Sequence, residues 1–273
     1  MSLLDNIAAA FVRRILRVMI SDAETSDIIN KALLRLVNED EAFKRALWRS
    51  ANIRPHFDCW HEYRPTYTVS DRRADLATTA TAYFIERHAP KVRAFANHLD
   101  HLDFALSEIT VPDGLVCEFG VYHGTTINRI AARYPNKEIH GFDSFEGLPE
   151  DWMVEGSKGT YSTGKVIPQT APNVKMHIGL FHDTLPLFLE KHEGPAAFLH
   201  IDSDIYSSAK TVLTLMRRRI VSGTVIVFDE FFNYAGFQEH EFRAFFEFIK
   251  ETSHAYEIRG YVDRGFAVAI CIL

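Results

Sequence analysis

Cysteine is scarce in this chain. Its three cysteines, Cys59, Cys117 and Cys271, are far apart, odd in number and never in a C-x-x-C pair. That excludes a disulfide framework or a cysteine-built zinc site as the basis of the fold, and a reducing, cytoplasmic setting is expected. Long apolar runs are missing too: nothing approaches the roughly 18 continuous apolar residues of a membrane-spanning helix, so stable membrane insertion is not expected. Nor is positive charge in excess. A formal net charge of -6 argues against a broad nucleic-acid-binding surface. Internal repeats and low-complexity tracts are absent. What the chain does have is 273 residues, 47% of them hydrophobic, enough for one large domain or for a core domain with an extension.

Before about residue 110 there is little strand-like alternation. Leu4, Ile7, Phe11, Ile15, Val18 and Met19 recur near helical spacing, with Arg13, Arg14 and Arg17 among them. Residues 3–20 therefore read as an amphipathic helix that packs on the protein or on a partner subunit, as in a homo-oligomer, or alternatively lies on a membrane surface. No signal-peptide cleavage site follows it. Further helical pieces are expected over 28–36 and 42–48, and an aromatic loop over 54–66 with His56, Trp60, His61 and Tyr63. Helix resumes over 73–106, divided at Pro90, whose ring cannot sit inside a regular helix.

From Leu115 the pattern changes to short apolar runs alternating with helical segments, which predicts a parallel sheet with helices on both faces. Strands are expected over 115–119, 138–142, 174–178, 197–201 and 223–228, and a helix over 240–252. Two final runs, 256–260 and 266–270, are so closely spaced that they must form a hairpin.

The first of these strands runs into Glu118-Phe119-Gly120-Val121-Tyr122-His123-Gly124-Thr125-Thr126, and the second ends on Asp143. This is a nucleotide-binding strand, turn, helix and strand. Glycine lets the backbone turn sharply, and an acid at the next strand tip can accept hydrogen bonds from both ribose hydroxyls. A dinucleotide fold would usually show G-x-G-x-x-G to seat a pyrophosphate. Tyr122 stands where its middle glycine would be, so the loop suits a nucleoside without phosphates, such as S-adenosylmethionine.

Five stretches, CEFGVYHGTT, HGFDSFEGLP, IGLFHDTLP, HIDSDIYSS and VIVFDEFFN, lie in that order between residues 117 and 233. Together they resemble the macrocin and mycinamicin O-methyltransferase family, which methylates sugar hydroxyls on macrolide antibiotics. The resemblance implies an α/β, Rossmann-like class I methyltransferase sheet of seven strands over residues 111–273. Residues 1–110, which the resemblance does not cover, are expected from their own pattern to form a helical extension serving the acceptor pocket, a lid or oligomerisation. It also implies that Glu118 and the turn Gly120, Tyr122, Gly124 and Thr125 face the methionine part of S-adenosylmethionine. Asp143 would hold the ribose, Ser144 would reach the adenine, and Gly179 and Phe181, with Leu180, would flank its ring. Alternatives stand beside these: Glu118 as an acid favoured near a helix N-terminus, and Leu180 and Phe181 as core.

Asp202 and Asp204 leave the fourth expected strand, and Asp229 and Glu230 leave the fifth. At neighbouring strand ends their carboxylates converge and repel unless a cation or protons neutralise them, and Mg²⁺, a hard oxygen-liganded ion, is the natural neutraliser. The family resemblance implies Asp202, Asp229 and Glu230 as its ligands, with Glu230 where the family commonly has Asp. Sugar hydroxyls are poor acids, and Asp202 could serve as both ligand and base. The other reading of Asp229 and Glu230 is a cap for the following segment. His56, His61, His123, His182 and His200 are rival bases, and residues 152–172 read as a lid or as an ordinary surface loop. The expected activity is O-methylation of a saccharide or glycosylated natural product. An NAD-dependent oxidoreductase and a noncatalytic nucleoside-binding protein are the alternatives.

Overall fold

The computed structural model describes residues 68–152 and 156–273. The helices expected before residue 50 and the loop holding His56 and His61 lie outside the described residues. The chain divides into two compact units, Met1–Arg72 and Arg73–Leu273, and the sheet belongs to the second. Among the described residues the elements run α1 (Val69–His88), β1 (Arg93–Phe95), α2 (His98–Ser107), β2 (Leu115–Phe119), α3 (Thr125–Arg133), β3 (Ile139–Asp143), β4 (Val174–Ile178), α4 (Phe181–Leu189), β5 (Ala196–Ile201), α5 (Tyr206–Met216), β6 (Val225–Phe228), α6 (Glu241–Thr252), β7 (Tyr256–Val262) and β8 (Val268–Ile272).

All eight strands join one sheet in the order β1-β7-β8-β6-β5-β2-β3-β4. β8 runs antiparallel to β6 and β7, and the other neighbours are parallel. Without β1 this is the Rossmann-like sheet that the sequence predicts, closed by the predicted hairpin. β1 itself departs from expectation. The pattern predicts helix there, but Arg93-Ala94-Phe95 pairs with Gly260 to Val262 at the sheet edge; three residues are too few to show an alternation. β8 also begins later than expected, because Phe266 and Ala267 turn the chain and the Phe266 carbonyl accepts from the N–H groups of Phe231 and Phe232.

The central strands are buried on both faces, which is why they read as unbroken apolar runs. Every residue of β5 and β6 is buried. On one face Phe119, Phe142, Leu199, Ile201 and Phe228 pack with Leu185, Val212 and Phe245 of the covering helices. On the other, Val116, Phe198, Val225 and Val227 pack with Leu102, Leu106, Ile127 and Ile130. The chain winds outward in opposite directions from β2 and β5, so the carboxyl ends of β2, β3, β5 and β6 open onto one crevice, where open α/β sheets bind ligands.

Candidate active site

Two loops build this crevice, and a close backbone contact joins them. At the end of β2 the Gly120 N–H donates to the Phe142 carbonyl, and one strand over, the Asp202 N–H donates to the Phe119 carbonyl, both at 2.9 Å. Gly120 has φ +94°, and a Cβ on it would lie 1.8 Å from the Asp202 carbonyl oxygen. This glycine is therefore required by the neighbouring strand exit as well as by the turn. Asp143 holds the turn from the other side. Its Oδ2 accepts from the N–H groups of Val121 and Tyr122, each at 2.8 Å, and its Oδ1 accepts from Phe145 N–H at 2.7 Å. With two lone pairs per oxygen, the carboxylate retains capacity for a further donor. Tyr122 sits at φ +48°, a left-handed conformation that a bulky residue adopts only when its surroundings impose it.

Five acids gather on the other side of the crevice. Asp202, Asp204 and Glu230 each offer an oxygen within 4.8 Å of the others. Asp204 is held at φ +60°. Glu241, fully buried at the start of α6, receives the Ser203 N–H at 3.4 Å and the Glu230 N–H at 3.1 Å, so one carboxyl ties both acidic loops. Behind Glu230, Phe231 and Phe232 are buried against Phe84 of α1. The expected third ligand, Asp229, is placed differently: it approaches His200 Nε2 at 3.9 Å, while His200 Nδ1 meets Glu118 Oε2 at 3.1 Å.

The electrostatics follow from this arrangement. Burial and then the Asp229 charge push Asp202 well above the usual carboxylate range, and the same two causes take Asp204 to about 7. Burial and then Asp202 push Glu230 up; burial and then Asp204 do so for Glu241. Asp229 is the exception. Burial opposes its charge, but the His200 contact outweighs this and lowers its pKa. His200 is raised correspondingly, with burial opposed by Asp229 and Glu118. No lysine or arginine pairs with these acids among the described residues, and Glu230 Oε2 is buried with no hydrogen-bond partner. An all-oxygen donor set with an unpartnered buried oxygen and too few positive charges fits a hard divalent cation.

A cavity of about 530 Å³ runs between the two loops. Of the expected residues, Gly120, Tyr122, Asp143, Ser144, Gly179, Leu180, Phe181, Asp202, Asp229 and Glu230 line it together, and Asp204 and Tyr161 join them. Glu118, Gly124 and Thr125 do not. Glu118 is fully buried and bound by Thr126 Oγ1 and His200. Gly124 faces Pro168, and Thr125 is exposed on the first turn of α3. Of the rival bases, His182 lines the cavity, His123 lies tilted against the Tyr122 ring, and His200 is buried beneath Asp229. The described part of 152–172 is tied down: Leu148 N–H donates to Thr160 O, Gly159 N–H to Leu148 O, and Lys165 N–H to Phe145 O. Sequence reasoning missed Tyr161 and Glu241, which no motif marks. For Asp204 the D-x-D spacing was the available signal.

Residues 117–231 match the profile of a family described as "Methyltransferase domain". No curated protein matches the sequence. Among solved structures, the chain is similar to CalS11, described as a calicheamicin methyltransferase, at 17% identity and a TM-score of 0.53, over 81% of this chain and 98% of that one. It is similar also to the O-methyltransferase NovP, at 19% identity and a TM-score of 0.51, over 74% of this chain and 98% of that one. These likenesses establish the fold as the Rossmann-like architecture of class I methyltransferases.

Proposed function

We propose that this chain is an S-adenosylmethionine-dependent O-methyltransferase of the macrocin and mycinamicin type, acting with a divalent cation on a hydroxyl of a sugar or glycosylated natural product. One observation carries the reading: a phosphate-free nucleoside turn and an oxygen-only acid cluster open onto the same cavity. The names of CalS11 and NovP are in keeping with it. When bound, S-adenosylmethionine supplies an electrophilic methyl group, and the cation makes the acceptor hydroxyl more acidic. The chain's own residues do the rest. Asp143 would hold the ribose with its one spare lone pair, on Oδ1, Ser144 would reach the adenine, and Gly179 and Phe181 would border it. Asp202, Asp204 and Glu230 would hold the cation beside Asp229, whose charge His200 shares. The Asp202 carboxylate takes the acceptor's proton. Tyr122 and Tyr161, 5.8 Å apart edge to face, form an aromatic rim at the cavity.

The test is a ligand panel. S-adenosylmethionine or its demethylated product should raise the melting temperature, by an amount equivalent to about 2.7 kcal/mol at a hundredfold excess over Kd, whereas NAD and ATP should not. A shift with NAD alone would overturn the reading.

The acid cluster gives a pH-dependent signature. Asp204, with pKa 3.8 unfolded and about 7 folded, binds more protons folded than unfolded in that window, so its contribution to stability falls as pH rises through it. Asp202 and Glu230 act in the same direction. His101 and His140, lowered to about 4 by burial, oppose them in part of that window, so the useful quantity is a difference. The stabilisation gained on adding Mg²⁺ to chelated protein should grow as pH rises from about 4 to beyond 7. A gain independent of pH in differential scanning would place the ion elsewhere.

Residues 1–110 are proposed to complete the acceptor pocket or a subunit interface, because the stripe of Leu4, Ile7, Phe11 and Ile15 needs a covering surface. Deleting residues 1–20 should change oligomeric mass by light scattering or reduce turnover. Unchanged mass, stability and turnover would mark the segment as dispensable.

A further inference from the structure

A second group of metal-competent side chains lies away from the cavity, around the carboxyl end of α4. Glu138 just before β3, His140 within it, and His192 after α4 each present a donor atom within 4.8 Å of the others, and none of them lines the cavity. His140 is 3 % exposed, His192 is half-buried and Glu138 is open to solvent, so the group reaches from core to surface. His192 Nδ1 lies 2.9 Å from the Phe188 carbonyl oxygen. A carbonyl can only accept, so Nδ1 carries the proton and Nε2 keeps its lone pair. A backbone carbonyl behind one ring nitrogen is the support that metal-binding histidines commonly have. His140 Nδ1 lies 3.4 Å from His177 Nε2 of β4; either ring can donate across this contact, and in the tautomer with the proton on His140 Nδ1 its Nε2 keeps the lone pair that a metal needs. Burial first, and then His177 and His192, keep the His140 ring neutral at neutral pH. Packing on Phe188 explains the ring positions. It does not explain the carboxylate beside them, whose ion-pair partner among the described residues is Lys175 at 3.9 Å.

We propose that Glu138, His140 and His192 bind a borderline transition-metal dication of the zinc class, with solvent completing the coordination and His177 supporting His140. Two imidazole nitrogens and one carboxylate oxygen suit Zn²⁺, Ni²⁺ or Cu²⁺ over Mg²⁺, so this site and the all-oxygen cluster differ in the ions they select. The ion would fasten β3 to the end of α4, whose first residues, Phe181 and His182, wall the cavity.

The full chain, stripped by chelator and kept in excess Mg²⁺ to occupy the acid cluster, is titrated with Zn²⁺ against a chromophoric competitor and, separately, with Co²⁺. About one tight equivalent of Zn²⁺ is expected, together with the visible Co²⁺ bands of a low-coordinate nitrogen and oxygen site. Replacing His140 would put the core at risk, so the variants are His192→Ala and Glu138→Gln. His192→Ala should lose the tight equivalent and the Co²⁺ bands while keeping the thermal shift produced by S-adenosylmethionine, and Glu138→Gln should bind at least about tenfold more weakly. Asp202→Asn should retain the site. Absence of tight Zn²⁺ binding in the unmodified chain, or an unchanged stoichiometry in His192→Ala, overturns the proposal.

Discussion

Asp202→Asn is expected to lower turnover by about a thousandfold or more while leaving affinity for S-adenosylmethionine nearly intact. The substitution preserves shape and removes the charge proposed to take the acceptor's proton. General-base catalysis alone is worth about 10²–10⁴-fold, and each tenfold is about 1.4 kcal/mol of transition-state stabilisation. Cofactor affinity should hold, because the nucleoside contacts are assigned to Asp143 and the turn after β2. The variant carries a second signature. Burial and neighbouring negative charge work against ionised Asp202 in the free protein, so removing its charge should raise the melting temperature of chelated protein near neutral pH even as turnover collapses. Chelation of the unmodified chain should mimic the loss of turnover, and Mg²⁺ should reverse it. Full activity in a chelated, metal-free sample would end the cation proposal and turn attention to His182 at the cavity wall and to His56 and His61.

Gly120→Ala is expected to be the most damaging single methyl group that can be added near the site. Its Cβ would lie 1.8 Å from the Asp202 carbonyl oxygen and 2.9 Å from the carbonyl carbon, at φ +94°. Both obstacles are backbone, so no rotamer change relieves them. Left-handed strain and overpacking each cost about 1–3 kcal/mol, and together they should lower stability in urea melts by about 3 kcal/mol or more. Gly159→Ala is the control. It has a similar φ of +86° but nothing within 4 Å, so it should lose only about 1–2 kcal/mol, the backbone cost alone. Equal losses in the two variants would show that the contact with Asp202 is not what Gly120 is needed for.

The sheet was legible in the sequence because its central strands are covered on both faces and so appear as apolar runs with little ambiguity. β1 was not, since three residues at an edge carry no period. The site was legible where chemistry is confined to strand ends: Gly120, Asp143, Asp202 and Glu230 all stand at the carboxyl edge that the motif order implies, and all line one cavity. What sequence could not convey was which side chains satisfy one another. Glu118, the first residue of the turn motif, spends its carboxyl on Thr126 and His200. Asp229 leans toward the same histidine. Glu241 lies on the helix expected over 240–252 with nothing in the sequence to single it out, yet it accepts hydrogen bonds from backbone N–H groups of both acidic loops. Such pairings depend on which strands become neighbours, and β2 meets β5 only through a crossover.

The missing side chain at Gly120 also has a thermodynamic meaning. The turn proposed to receive the nucleoside rests directly on the carbonyl of Asp202, so the receiving loop cannot shift without moving the backbone that carries the proposed cation ligands. Two ligands seated on such a joint are linked: whatever factor one contributes to the affinity of the other is returned equally. On the proposed function, cation and cofactor would report each other's presence through a single backbone contact.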